Sequence, residues 1–399
     1  MNRKEFLRNT ALVSASFMLP RFLRGADFDL AERTAEGKVV VVIQFSGGND
    51  GLNTVVPYRN DLYHRARPSL GLDKSEVLRL DDDLALNPNL VGLAELYDDG
   101  ALTIFNSVGY PNPNRSHFRS MDIWQSGSGS ERVWSTGWIG RYLDAKCPDG
   151  LPPYTAMEVD DTLSLALKGK EMNGLAVQKP TDFYRNTQEP FFHAVSQQTT
   201  MPVASHPQLD YLHKTLAETT ISAEYVYAKS KIYQSTQSYP GTLLGRKLKL
   251  IAELIVANSA TKLYYVSLPG FDTHINQKGP QGRLLLQYGN AIRAFTQDLK
   301  ANDRFEDVVI VTFSEFGRRV QQNGSGGTDH GTANNLFLIS GALRKPGIFN
   351  APPDLSDLDE GDLKYQLDFR NIYATLLERW LKADANGILQ GDFSALPVI

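Results

Sequence analysis

The chain has 399 residues, of which 42% are hydrophobic and 22% charged, and its formal net charge is −4. This length and apolar content suffice for one large α/β domain or two smaller ones and argue against disorder as the main state, and the small charge without a long basic run excludes an electrostatic footprint for nucleic acid. Cys147 is the only cysteine, so an intramolecular disulfide and a thiolate metal cluster are excluded, and any metal is held by Asp, Glu, His, Asn or water.

The N-terminus MNRKEFLRNTALVSASFMLPRFLRG sets Arg3 and Lys4 before Phe6-Leu7 and a short, weakly apolar run. That order reads as an export signal over residues 1–26. Arg3-Lys4-x-Phe6-Leu7 is similar to a twin-arginine signal with Lys in the second basic position, which implies transport in the folded state. A bilayer span needs about twenty apolar residues. The run from Thr10 to Pro20 is shorter, so no integral membrane span is expected, and a periplasmic or otherwise exported location is. An ordinary amphipathic first helix is the plainer alternative, because no clean small-x-small cleavage site stands out.

Beyond the signal, KVVVVIQF, ALTIFNSVGY, KLYYVSLPG, DVVIVTFSEFG and NNLFLISG read as strands. Four are near-continuous apolar runs, as expected of strands buried on both faces of a mostly parallel sheet. Between them NLVGLAELYDDG, with Leu90, Leu93 and Leu96 at helical spacing and a stop at Gly100, and QGRLLLQYGNAIRAFTQDLKAN read as helices. The expectation is an α/β fold over residues 38–399, doubly wound and flanked by helices. From about 183 to 240 the strand runs give way to Gln, Ser, Thr, Tyr and His, with Leu209, Leu212, Leu216 and Ile221 on a helical period; this reads as a helical insertion packed on the domain, either stabilising or a lid. Ala351 to Asp362 reads as a solvated acidic loop.

In open parallel sheets ligands bind beyond the carboxyl ends of the strands. Asp50 follows the first strand, Asp272 and His274 follow KLYYVSLPG, and Ser314-Glu315 follow VVIVTF; Asp329-His330, the only Asp-His pair, precedes NNLFLISG. Carboxylates and imidazoles arriving together suit one or two divalent metals. Taken singly, Asp50 is equally a turn residue, Asp272 a helix cap, His274 a hydrogen-bonded loop histidine, and Glu315 a salt-bridge partner of Arg318 or Arg319. Ser116 stands where a helix should begin, between Arg115 and His117. Its hydroxyl is a nucleophile candidate in the positive field of a helix N-terminus or simply a cap, and Arg115 can clamp an anion.

The segments SGGNDGLNTVVPY, SVGYPNPNRSHF, DIWQSG, TGWIGRYLD, GFDTHINQ, FSEFGRRVQQNGSGGTDHGTAN and DFRNIYATLLERWL together resemble the exported bacterial family called domain of unknown function 1501. The resemblance covers nearly the whole chain after the signal. It implies an alkaline phosphatase and sulfatase-like fold with one or two divalent metals (Zn, Mg, Mn, Ca or Fe) held by Asp50, Asp272, His274, Glu315, Asp329 and His330, and with Ser116 as a nucleophile at a helix start; Arg115 and His117, adjacent to it, are the further candidate catalytic groups. In that picture the glycines around Asp50 let metal and substrate approach the backbone. The sequence departs from the superfamily at Glu315-Phe316, where Asp-His is common, and with no cysteine in PNRS, which is loosely similar to the sulfatase signature, formylglycine chemistry is excluded. Ser46, Asn49 and Thr54 compete with Ser116. The resemblance implies an exported metal-dependent hydrolase of a phosphate, sulfate or related ester, acting on a small anionic ester or a polysaccharide-derived substrate. The alternatives are a non-catalytic cell-surface or polysaccharide-binding protein on the same scaffold, and an exported partner of another secreted protein.

Overall fold

The computed structural model describes residues 37–146, 151–190, 192 and 207–399; the expected export signal lies outside them. The strands of the main sheet are β1 (Val39–Ser46), β2 (Leu102–Gly109), β3 (Ala156–Glu158), β4 (Leu175–Ala176), β5 (Leu263–Pro269), β6 (Val308–Ser314), β7 (Asn334–Ile339), β8 (Gly347–Ile348) and β9 (Leu367–Asp368). Their spatial order is β8-β2-β7-β6-β1-β5-β3-β4, with β9 also paired to β2. The helices used below are α1 (Asp61–Ala66), α2 (Val91–Asp98), α3 (His117–Ser126), α4 (Trp138–Ala145), α5 (Pro180–Thr187), α6 (Pro207–Lys229), α7 (Leu243–Val256), α8 (Lys278–Ala301) and α9 (Phe369–Thr375).

The unbroken apolar run of β1 has the cause expected. Val39, Val41, Ile43 and Phe45 enter one core with Leu93 of α2, Leu248 of α7 and Ile292 of α8. Val40 and Val42 enter the opposite core with Ile123 of α3, Ile139 of α4 and Tyr373 of α9. Each fully buried side chain of this kind contributes about 1.5–3 kcal/mol, so both faces of the sheet hold their helices firmly, which is the doubly wound arrangement.

The sheet is mixed. β1 pairs in parallel with β5 and β6, whereas β7 runs antiparallel to both β2 and β6. The reason is local: β6 and β7 are joined by a loop with no helix, so there is no crossover to restore direction and the chain returns beside the strand it left. In consequence the start of β7 lies at the same sheet edge as the ends of the parallel strands; Asn334 is opposite Val108, near the end of β2.

Within the expected insertion, the described helical parts are α5 and α6, which pack together through Tyr184 and Tyr227 with ring centroids 4.5 Å apart. Tyr225 stacks on Tyr154 at 3.9 Å, and its hydroxyl accepts from the Ala260 amide. The stretch after α6 is tied down by buried Asp298 of α8, whose carboxylate accepts from Tyr233, Ser235 and Tyr239 hydroxyls at 3.0, 2.6 and 2.9 Å.

At the edge of the sheet, burial pushes the Glu158 carboxyl up to about 7, although the Ser164 amide donates to it at 2.6 Å. The native state therefore binds this proton more tightly than the unfolded chain does. The stabilisation is complete below the ordinary carboxyl range near 4.5 and is lost as pH rises through about 7, a difference on the order of 3 kcal/mol. Glu158→Gln, which keeps the acceptor without the charge, is expected to flatten the fall in unfolding free energy between those pH values. Denaturant titrations at each pH check this, and equal slopes in the two proteins would refute it.

Candidate metal centre

Four segments meet at the carboxyl edge of the sheet. β1 ends in the Gly47-Gly48 turn, β5 leads into Asp272-Thr273-His274, α3 begins at His117, and the loop from β6 to β7 supplies Glu315, Arg318, Asp329 and His330. That loop is a hairpin: Arg319 N–H donates to the Asp329 carbonyl at 3.0 Å, Gly317 N–H donates to Thr332 at 2.7 Å, and Arg318 is bridged to His330. Because β7 is antiparallel, a histidine that precedes its strand arrives where the others follow theirs.

One atom organises the cluster. Asp272 Oδ1 lies 3.0 Å from His274 Nε2, 3.2 Å from His330 Nε2, 3.4 Å from His117 Nε2 and 2.8 Å from Arg318 Nη2. The ligating atoms of His117, Asp272 and His330 all lie within 4.8 Å of one another, and His274 Nε2 is 3.0 Å from His330 Nε2. Thus three of the chain's seven histidines point the same ring nitrogen at one carboxylate oxygen.

The opposite ring nitrogens explain that orientation. His117 Nδ1 is 3.0 Å from Glu315 Oε1, His274 Nδ1 is 3.2 Å from Asp329 Oδ1, and His330 Nδ1 is 2.8 Å from the Arg115 carbonyl. Neutral imidazoles donating to these oxygens carry the proton on Nδ1 and present a lone pair at Nε2. Three lone pairs and a carboxylate then face one another, with the Arg318 guanidinium as the fixed positive charge at their side, 2.8 Å from Asp272 Oδ1 and 3.4 Å from His274 Nε2. The donor set of three imidazoles and one carboxylate is that of a divalent metal such as Zn, and His117 Nε2 is buried without a hydrogen-bond partner. The residues fit a metal.

Charges around the cluster act consistently. Burial raises the Asp272 carboxyl, but the hydrogen bond from Arg318 and the charge of its guanidinium act against it, and the group is held at about 2. The hydrogen bond to Glu315 raises the His117 imidazole, while burial lowers His330. Arg318 is itself fixed, donating to the carbonyls of Gly47, Gly48, Phe271 and Thr328 at 2.6, 2.6, 3.0 and 2.9 Å.

The structure brings His117, Asp272, His274 and His330 together with their ligating atoms inward. Glu315 and Asp329 belong to the same cluster but meet the Nδ1 atoms of His117 and His274. Asp50 is buried elsewhere in the edge: its Oδ2 accepts from Arg67 Nη1 at 2.6 Å and from Gln277, and Oδ1 has no partner. Ser116 is exposed at the start of α3, and its side chain caps nothing. The Arg115 guanidinium is paired with buried Asp362, so its backbone carbonyl, not its charge, faces the centre.

Sequence reasoning gave Arg318 only as a salt-bridge partner and Phe316 only as the residue standing where a histidine is common; the Phe316 ring centroid lies 4.9 Å from that of His117 and 4.7 Å from that of His330. A local signal was present in the glycines of the first turn. A Cβ on Gly47 would stand 2.4 Å from Asp272 N, and one on Gly48 would stand 2.1 Å from the Phe316 ring, with φ at +120° and +71°. These glycines admit the neighbouring loop and a ring. Gly48→Ala is expected to displace Phe316 and with it two imidazoles, lowering metal affinity at least about tenfold. The variant's bound-metal content checks this against a left-handed strain of about 1–2 kcal/mol that melting alone would show.

A family model described as "Protein of unknown function (DUF1501)" matches residues 37–384. The chain belongs to this family. No curated protein matches it. Among solved structures, the C-terminal periplasmic domain of EcEptC from Escherichia coli in complex with Zn is 12% identical with a TM-score of 0.38, over 77% of this chain and 75% of that one. The PsFucS1 sulfatase from Pseudoalteromonas sp. is 11% identical with a TM-score of 0.40, over 92% and 72%. The phosphonate monoester hydrolase SpPMH from Silicibacter pomeroyi is 10% identical with a TM-score of 0.38, over 90% and 75%. These scores are low, and no residue of this DUF1501 chain takes its role from them. Among the described residues no helix is long and apolar enough to cross a membrane.

Proposed function

We propose that His117, Asp272, His274 and His330 hold a divalent cation and that the chain is an exported hydrolase of a phosphate, sulfate or related anionic ester. The observation that carries this reading is the convergence of three Nε2 atoms on Asp272 Oδ1, each imidazole held from behind by an oxygen at Nδ1. A bound cation supplies Lewis acidity toward an ester oxygen and lowers the pKa of a water or hydroxyl.

The chain's own groups do the rest. Glu315, fixed by the Gly47 amide at 2.8 Å, keeps His117 in its tautomer, and Asp329, fixed by Asn323, does the same for His274. Arg318 neutralises Asp272 in the absence of other charge and holds its rotamer. The side chains of Asp272 and His274 are 50% and 40% exposed, so an ester reaches this face from solvent, and Ser116, exposed one residue before His117, is the hydroxyl proposed to meet it. Export rests on the Arg3-Lys4-x-Phe6-Leu7 pattern.

The test is elemental analysis of protein recovered from its native export route, followed by turnover of p-nitrophenyl phosphate, bis(p-nitrophenyl) phosphate and p-nitrophenyl sulfate before and after chelation. One or two equivalents of a divalent metal and chelator-sensitive turnover are expected. Protein that remains metal-free after supplementation contradicts the reading.

A further inference from the structure

The acidic stretch Ala351 to Asp362, expected to be a solvated loop, ends on a wholly buried residue: Asp362 is 0% exposed. It lies on a short antiparallel pairing of Leu358–Asp359 with Asp362–Leu363, tied close to the centre where the Thr332 hydroxyl donates to the Leu363 carbonyl at 2.6 Å. A carboxylate taken out of water needs compensating charge, and two arginines supply it. Asp362 Oδ2 pairs with Arg115 Nη2, and Oδ1 lies 3.9 Å from Arg319 Nε. Beyond these arginines neither oxygen has a hydrogen-bond partner among the described residues.

Both arginines lead to His330. The Arg115 carbonyl is the oxygen 2.8 Å from His330 Nδ1, and its guanidinium is the group that Asp362 holds. The neighbouring amides of Asn114 and Ser116 donate to the Tyr110 hydroxyl and the Asn114 side chain, bonds within their own segment, whereas the Arg115 side chain reaches across to a different part of the chain. On the other side, Arg319 N–H donates to the carbonyl of Asp329, next to His330, at 3.0 Å, and Arg319 Nη1 donates to the Glu360 carbonyl at 2.9 Å. The imidazole therefore rides on one segment and its oxygen partner on another, and one buried carboxylate stands between arginines from both. His117 and His274 are backed by Glu315 and Asp329 instead, so the Arg115 clamp bears on one imidazole of the three.

We propose that Asp362 is a positioning residue for His330: by holding the Arg115 guanidinium it fixes the Arg115 carbonyl against Nδ1, which keeps the ring proton there and leaves Nε2 free to ligate. Its part in holding a cation rests on the centre proposed above; its hold on the tautomer is read without one. Metal-free protein carrying isotopically labelled histidine would be compared by long-range nitrogen–proton correlation NMR, as wild type, Arg115→Met, Asp362→Leu and the double variant, with His330→Gln to identify the signals. Mildly alkaline buffer suits the comparison, since burial lowers the His330 imidazole and keeps it neutral there. In each variant His330 should pass from a mainly Nδ1–H form to a mixture of tautomers, with His117 and His274 unchanged. In competition with a chelator of known affinity, each single variant should lose about tenfold in affinity for Zn, the lower end of the range for outer partners of ligating histidines. The double variant should lose no more than either single one, because both changes break the same pair. The Arg115 side chain is 37% exposed, so Arg115→Met should keep the fold whatever the buried substitution does. An unaltered His330 tautomer in Arg115→Met, tautomers of all three histidines shifting together, or additive losses of affinity overturns the proposal. Wild type that binds no metal, with the tautomer shift still confined to His330, would remove the cation and leave the positioning role in place.

Discussion

Asp272→Ala is expected to lower the affinity of the chain for a divalent cation by more than about a hundredfold, because loss of the outer oxygen partner of a ligating histidine alone typically costs 10–100-fold and Asp272 is the point to which three imidazoles converge. The change leaves three neutral nitrogens and the Arg318 guanidinium, which then repels a cation instead of holding its ligand. The fold should survive, since the Asp272 side chain is half exposed and Arg318 keeps four carbonyl partners. Asp329→Asn should give the intermediate loss of about 10–100-fold, acting through His274. Competition against a chelator of known affinity measures all three proteins. Wild-type affinity in Asp272→Ala would remove the centre as described here.

The largest effect on stability should come from Arg67→Ala. The Arg67–Asp50 pair is fully buried, and Arg67 also donates to Asn53, Val320 and Arg319 at 2.7, 3.0 and 2.9 Å, so it joins the first turn to the hairpin that carries His330. Removing one member of a buried pair strands the other charge and costs about 3–5 kcal/mol. Asp50→Asn should cost less, because the amide retains an oxygen for Arg67 and leaves no bare charge. Chemical denaturation with and without added metal compares the two variants. The pair also decides what Asp50 does, since its Oδ1 is buried and unpartnered: loss of metal from Asp50→Asn at unchanged stability would make it a ligand, and loss of stability with metal retained would make it a structural carboxylate.

The strands and their double burial were legible because β1, β5 and β6 are nearly unbroken apolar runs, and burial on both faces leaves no polar alternation to confuse the pattern. The direction of β7 was not legible, since Asn334 to Ile339 would read alike in either orientation; direction depends on the absence of a helix between β6 and β7. The candidate residues were found as strand-end polar groups, but spacing cannot distinguish a side chain that points at a shared centre from one that holds its neighbour. Glu315 and Asp329 look like ligands in sequence and stand behind imidazoles in space. His117 looked like a neighbour of Ser116 and points inward, because α3 begins at that residue and turns Ser116 to solvent.

The hairpin between β6 and β7 gives the centre a thermodynamic property of its own. Arg318, Asp329 and His330 ride on one short piece of chain that contains no helix of its own, whereas His117, Asp272 and His274 come from elsewhere. A cation shared between the two groups is a cross-link across the opening of that piece, so the free energy of releasing the ion and the free energy of local unfolding there are linked by mass action. Mobility of one loop and occupancy of the centre would then report the same equilibrium.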